Sequence, residues 1–241
     1  MRVVTNEKLI ERNKRIAQIL FFVSLAALGG SFFLSGSLTA QAATYFQCLV
    51  LPSMMILVVW SVRMTNEWVR KPHPWEAIPE GLKGIGTDTV MYNFLMPAAH
   101  VLVTSNGIFA IVTRFQDRPQ KLVGDKWQGQ NSLLGRLLAF MRQENMGNPA
   151  KEAQLRAKQT EVFLQELLGD DQIRVQPLIV FIHPNAEVTI EGEPSVPVLY
   201  ASADKKKNTL KQYLKDAKKQ SHPTLSKAQI DALDDVLLYA D

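Results

Sequence analysis

The sequence predicts a protein of α/β (α+β) class in two parts: a transmembrane helical hairpin, then one soluble α/β or α+β domain. Three observations carry this. From Ile16 to Val62, 47 consecutive residues contain no Lys, Arg, Asp or Glu. Beyond residue 86, β-rich runs alternate with helically spaced ones, in the order three strands, helix, strand, strand, helix, helix. The 241 residues are 46% hydrophobic, which suits a packed core and not a disordered chain. The single cysteine, Cys48, rules out a disulfide framework and any Cys-based zinc site.

Charge is unevenly placed. Residues 1–71 hold 8 Lys+Arg and 3 Asp+Glu, a net of +5, whereas residues 72–241 hold 19 and 20, a net of −1. The basic character belongs to the flanks of the apolar stretch, so no globally basic domain argues for nucleic acid. Four regions follow: a basic N-terminal arm (1–15), the hairpin (16–62), a juxtamembrane linker (63–86) and the soluble domain (87–241).

Within the hairpin, the spans are Ile16–Gly36 and Ala42–Val62, each of 21 residues. As helix that length covers about 31 Å, enough for a hydrocarbon core of roughly 30 Å. Arg2, Lys8, Arg12, Lys14 and Arg15 precede the first span, Arg63, Arg70 and Lys71 follow the second, and the loop between has no charge. Cationic flanks stay on the side of synthesis, so both termini are expected in the cytoplasm and the protein in the cell (inner) membrane. Ala40-Gln41-Ala42 has the form of a signal-peptide cleavage site, but the apolar run is too long for one and a second span follows at once. Ala27, Ser31 and Ser35 recur every four residues, a spacing that lets helices approach closely within the hairpin or between copies. Pro52 is expected to kink the second helix, and with no ionisable group in either span the pair reads as an anchor rather than a transport path.

In the soluble domain, Pro72, Pro74 and Pro79 with Gly81, Gly84 and Gly86 mark the linker. His100–Thr104 and Ile108–Thr113, joined across Asn106-Gly107, form a hairpin signature. Gln120–Gly124 reads as a third strand and SLLGRLLAFMR (Ser132–Arg142) as an amphipathic helix, buried in the domain or lying on the membrane. Asn148-Pro149 caps a helix that runs to Leu168 before Gly169. Ile173–Ile182 suits the middle of a sheet, Val196–Tyr200 is another strand, and helices follow from about Asp204 to Lys219 and from Ser226 to Ala240.

These pieces resemble the nuclease-related domain (NERD) family of the restriction-endonuclease-like superfamily. The matching segments are AHVLVTSNGIFAIVTR (Ala99–Arg114), Trp127, NPAKEA (Asn148–Ala153), PLIVFIHPNAEV (Pro177–Val188), VPVLY (Val196–Tyr200) and LSKAQIDAL (Leu225–Leu233). The resemblance implies a restriction-endonuclease-like fold, a central mixed sheet flanked by helices, with an Asp and a Glu holding a divalent cation and a Lys beside the attacked phosphate. In that register the Asp falls on Ala99, the Glu on Val112, the Lys on Arg114 and the helix Gln on Glu152. Neither Ala nor Val can ligate a hard cation, and Arg114 keeps the charge in a different shape. The catalytic motif is therefore degenerate, and a binding or interaction module without cofactor is the expected function. The alternative is a Mg-dependent nuclease with a relocated site, drawing carboxylates from Asp88, Asp117, Asp125 or Glu152.

Other chemistry is thinly supported. His73, His100, His183 and His222 lack metal-site spacing, and no Ser-His-Asp, Walker or dinucleotide signature occurs. Lys207, Lys211, Lys215 and Lys218 recur on one face of the Asp204–Lys219 helix. Most such stripes are solvated surface, but beneath a bilayer they suit anionic headgroups, at about 1 kcal/mol per Lys. The expected partners are thus the lipid bilayer and its headgroups or an unidentified protein, with nucleic-acid backbone at Arg114 and these lysines a weaker candidate.

Overall fold

The structure, a computed structural model, describes residues 1–129, 146–202, 208–217 and 223–239. The predicted helix at Ser132–Arg142, together with Lys207, Lys218 and His222, lies outside the described residues. The described residues divide into two compact units: one holds Met1–Asn6 and the described residues from Pro72 onward, the other Glu7–Lys71.

The second unit is a pair of helices, α1 (Glu7–Ser37) and α2 (Ala40–Trp68), packed along each other. Both are long and apolar enough to cross a membrane, over Glu7–Ser37 and Thr44–Trp68. The helices run past the predicted spans at both outer ends, because the charged flanks of the apolar stretch are themselves good helix formers. On α1, Ala17 and Ser24 are buried and Ala27, Ser31 and Ser35 half-buried, while Phe22, Phe32 and Phe33 are 66–79% exposed. Small residues inside and large apolar ones outside reverse the pattern of a water-soluble helix pair. The hydroxyls of Ser24, Ser31, Ser35 and Ser37 donate to the carbonyl three residues back, and Ser53 to Leu49, so they need no water. Pro52 lies inside α2.

The first unit is layered. Its six-stranded mixed sheet has the order β1-β2-β3-β4-β7-β9, from β1 (Arg2–Thr5), β2 (Val90–Asn93), β3 (His100–Thr104), β4 (Gly107–Arg114), β7 (Val175–Phe181) and β9 (Val198–Tyr200). The pairs β1–β2, β4–β7 and β7–β9 are parallel, and β2–β3 and β3–β4 antiparallel. The predicted hairpin thus sits in the sheet's centre, with β7 beside it. A smaller sheet, β6-β5-β8, joins β5 (Gln120–Val123) to β6 (Lys126–Gly129) and β8 (Val188–Glu191).

Strand alternation feeds two helix layers. Met91, Leu102, Phe109 and Ile111 face Ile78 and Leu82 of α3 (Pro74–Gly81) and its end, and Leu210 and Leu214 of α5 (Leu210–Ala217). On the opposite face, Val101, Val103, Ile108 and Ala110 meet Ala157 and Leu164 of α4 (Pro149–Leu168) and Leu233 of α6 (Lys227–Tyr239). Caps follow the sequence: Asn148 Oδ1 accepts from Lys151 N, and Gly169 closes α4 at φ 64°. Ser226 and Gln229 exchange side-chain-to-backbone bonds at the head of α6.

Two regional assignments change. Part of the linker folds as α3, since Pro74 stands in the first helical turn, where no N–H is needed. The N-terminal arm contributes β1, a short β-branched run that pairs with distant β2.

Candidate functional site

The register brings the four positions singled out by the resemblance, Ala99, Val112, Arg114 and Glu152, to one end of the sheet. Val112 and Arg114 lie at the C-terminal end of β4, beside the C-terminal end of parallel β7, with Arg114 opposite Phe181. His100 pairs with Ile111, so continuing that register sets exposed Ala99 across from Val112. Glu152 is in the first turn of α4, which packs on β4 and β7.

Their chemistry is that of a closed contact. Val112 is 6% exposed, in an apolar cluster with Ile179, Phe181, Ala150, Ala153 and Met146. Arg114 Nη2 donates to Glu152 Oε2 at 2.5 Å and Nη1 to the Thr113 carbonyl at 2.9 Å. The Arg114 side chain is 16% exposed and that of Glu152 46%, a half-solvated ion pair tying β4 to α4. A guanidinium held this way presents a cation at the strand ends, with a carboxylate already on its fork.

The surrounding walls are aromatic. Trp127 packs on Phe181 at 5.7 Å between ring centroids, and Phe181 on Tyr200 at 6.2 Å. The buried Trp127 Nε1–H has no hydrogen-bond partner among the described residues. Tyr200 Oη accepts from Val188 N at 2.8 Å, which fastens β8 to the main sheet, and burial pushes its phenol upward. Phe115, just beyond Arg114, meets the His183 ring at 5.0 Å, and His183 Nδ1 accepts from Asn185 N.

The other candidate acids are dispersed. Asp88 precedes β2 at the end of the sheet opposite Arg114, beside a shallow hollow lined by Gly86, Thr89, Thr104 and Asn106. Asp125 Oδ1 accepts from Ser195 N at 2.8 Å, across the β5–β6 turn. Asp117 is exposed on the loop after β4. Among the described residues, no three His, Cys, Asp or Glu side chains gather as a metal site would require.

The remaining candidates divide as follows. Lys211 does not stand free on the helix face: its Nζ donates to the Lys83 carbonyl at 2.5 Å, just past the end of α3. A cation there neutralises carbonyls at the helix C-terminus. Lys215 is exposed. His73 is buried and stacks on Trp75 at 4.5 Å, and Trp75 meets Phe94 at 5.5 Å.

A buried polar chain escapes sequence reasoning. Asn93 Nδ2 donates to Thr5 Oγ1 at 2.9 Å, and Asn93 Oδ1 meets His100 Nδ1 at 2.8 Å. With Nδ2 engaged, Oδ1 is left to accept, which puts the neutral imidazole proton on Nδ1. Burial lowers the His100 pKa to about 3. Nearby, Tyr92 Oη donates to Asp234 Oδ1 at 2.8 Å and Arg2 Nη2 bonds Asp234 Oδ2 at 2.5 Å. Burial, the first cause, and the Asp234 carboxylate raise the Tyr92 phenol. Thr5 lies 88 positions from Asn93, and Asp234 142 from Tyr92, so no local spacing announces either group.

No family model, curated protein or solved structure matches this chain.

Proposed function

We propose that this is a multi-pass protein of the cell (inner) membrane, with both termini cytoplasmic, whose degenerate NERD-like domain works by binding and not by phosphodiester cleavage. The observation that carries this reading is the state of the motif positions. Val112 lies in an apolar cluster where the family places a cation-holding Glu, and the Glu152 carboxylate is bonded to Arg114. A hard cation needs oxygen ligands, and a carboxylate engaged by a guanidinium is a poor one. The restriction-endonuclease-like assignment draws support from the order of parts: an antiparallel pair, β3 and β4, then α4, then β7 parallel to β4. The bilayer is the partner implied by the chain's own composition; anionic headgroups, a protein, or a nucleic-acid backbone at Arg114 are candidates for the domain.

The test is direct. The purified full-length chain in detergent, given Mg or Mn and single- or double-stranded DNA or RNA, is expected to cleave no faster than Arg114→Ala. Any backbone binding should fall steeply with salt, weaken in Arg114→Ala and ignore chelation. Cleavage that is abolished by a chelator would overturn the binding-module reading and favour a relocated metal site.

A further inference from the structure

The first strand of the main sheet precedes the membrane hairpin, and the remaining strands follow it. Arg2–Thr5 pair in full with Val90–Asn93, in parallel, and α1 begins at Glu7, separated from Thr5 by Asn6 alone. Val4 is buried in the cluster that holds Tyr92, Val101 and Leu233. Thr5 Oγ1 accepts from Asn93, and Asn6 N donates to the Asn93 carbonyl. Arg2 reaches Asp234 on α6, the last helix of the chain, where Tyr92 also bonds. Residues 2–5 are thus held by β2, which follows both spans, and by α6, which closes the domain.

From this we infer that the hairpin is an insertion within the soluble domain, and that β1 is a strap which completes the sheet only when both ends of the hairpin lie on one side of the membrane. The inference rests on the proposed reading that α1 and α2 cross the bilayer. Backbone pairing cannot bridge a hydrocarbon core, so the chain between Thr5 and Val90 must cross an even number of times. Parallel neighbours require a crossover connection, and here that crossover carries the two apolar helices. The pairing is independent of flank charge and demands the same co-location of the two ends. It also orders assembly: β1 is synthesised before either span and stays unpaired until β2 has followed the second. A chain inserted with one span leaves β1 across the membrane and uncovers the edge formed by Val90 and Tyr92.

The experiment uses the full chain in membrane vesicles with the domain side outward, and reads the rate of limited proteolysis of the domain. Val4→Asp, on the buried face of β1, should raise that rate at least tenfold. Arg2→Ala should raise it about threefold. Val3→Asp, on the face that is 42% exposed, should leave it within twofold. One additional apolar span placed in the loop after Ser37, read with protease supplied to both faces of the membrane, should reproduce the Val4→Asp rate, and a second should restore the parent rate. Parent-like resistance of Val4→Asp, or of the odd-span chain, overturns the strap. Release of the parent chain from vesicles by alkaline carbonate would instead overturn the membrane-spanning reading, and the contrast between Val4→Asp and Val3→Asp would still decide whether β1 holds the sheet.

Discussion

His100 shows how one buried side chain can set a pH limit. The folded domain holds it neutral, with its pKa lowered to about 3 by burial, whereas an unfolded imidazole titrates near 6.5. Below about pH 6.5 the unfolded chain binds a proton that the folded one refuses, so stability falls as pH drops, until folded His100 itself protonates near pH 3. The slope is about 1.4 kcal/mol per pH unit for this one group. In detergent-solubilised full chain, the domain's unfolding midpoint should fall between pH 6 and 4 in the parent and fall less steeply in His100→Gln. Equal slopes in the two proteins would show that His100 is not the group responsible. Arg114 and Glu152 make the complementary point, since their ion pair is half-solvated and contributes at most about 1 kcal/mol. Its weight lies in occupying the fork of Arg114.

At the scale of elements, α3 is placed by a single glycine. A Cβ on Gly81 would lie 1.8 Å from the Ala201 carbonyl oxygen, backbone against backbone, so the end of α3 can approach the end of β9 only with hydrogen there. Gly81→Ala should therefore cost about 1–3 kcal/mol, or more if α3 is displaced. Glu80→Ala, one residue away with its side chain 74% exposed, should change stability by less than about 0.5 kcal/mol. Denaturant titration of the domain compares the two. Elements with strong local signals were legible in the sequence. The Asn106-Gly107 turn marked the β3–β4 hairpin, Asn148-Pro149 marked the head of α4, and the apolar run marked β7. The missed strands lack such signals: β2 reads VMYN, β6 KWQG and β8 VTIE, each of four residues, and β1 pairs across 88 positions. Val112 and Arg114 lie at the end of β4 with Glu152 on the helix packed there, a proximity that the positions' order along the chain does not itself encode. The partner of Lys211, and the chain from Thr5 through Asn93 to His100, depended on tertiary contacts that spacing cannot encode.

For the whole molecule, the proposed topology has charge choosing the side of the membrane, while the pairing of β1 with β2 asks only that the two ends of the hairpin share a side. Eight Lys and Arg flank the apolar stretch within residues 1–71 and none lies between the spans, so carrying either flank across would desolvate or translocate several cations. The loop around Ser37-Leu38-Thr39 has no such cost. A reporter that is active only in the cytoplasm should therefore be silent when fused after Ser37 and active at the C-terminus, and an exported reporter should show the reverse. Moving positive charge into the loop, as Ser37→Arg with Thr39→Arg, while neutralising Arg12, Lys14 and Arg15, should shift part of the population toward the inverted arrangement. Both ends of the hairpin should then move together, because β1 and β2 belong to one sheet. A C-terminus found outside in the parent would overturn the orientation. A parent with its two ends on opposite sides would overturn both the orientation and the even crossing that the sheet requires.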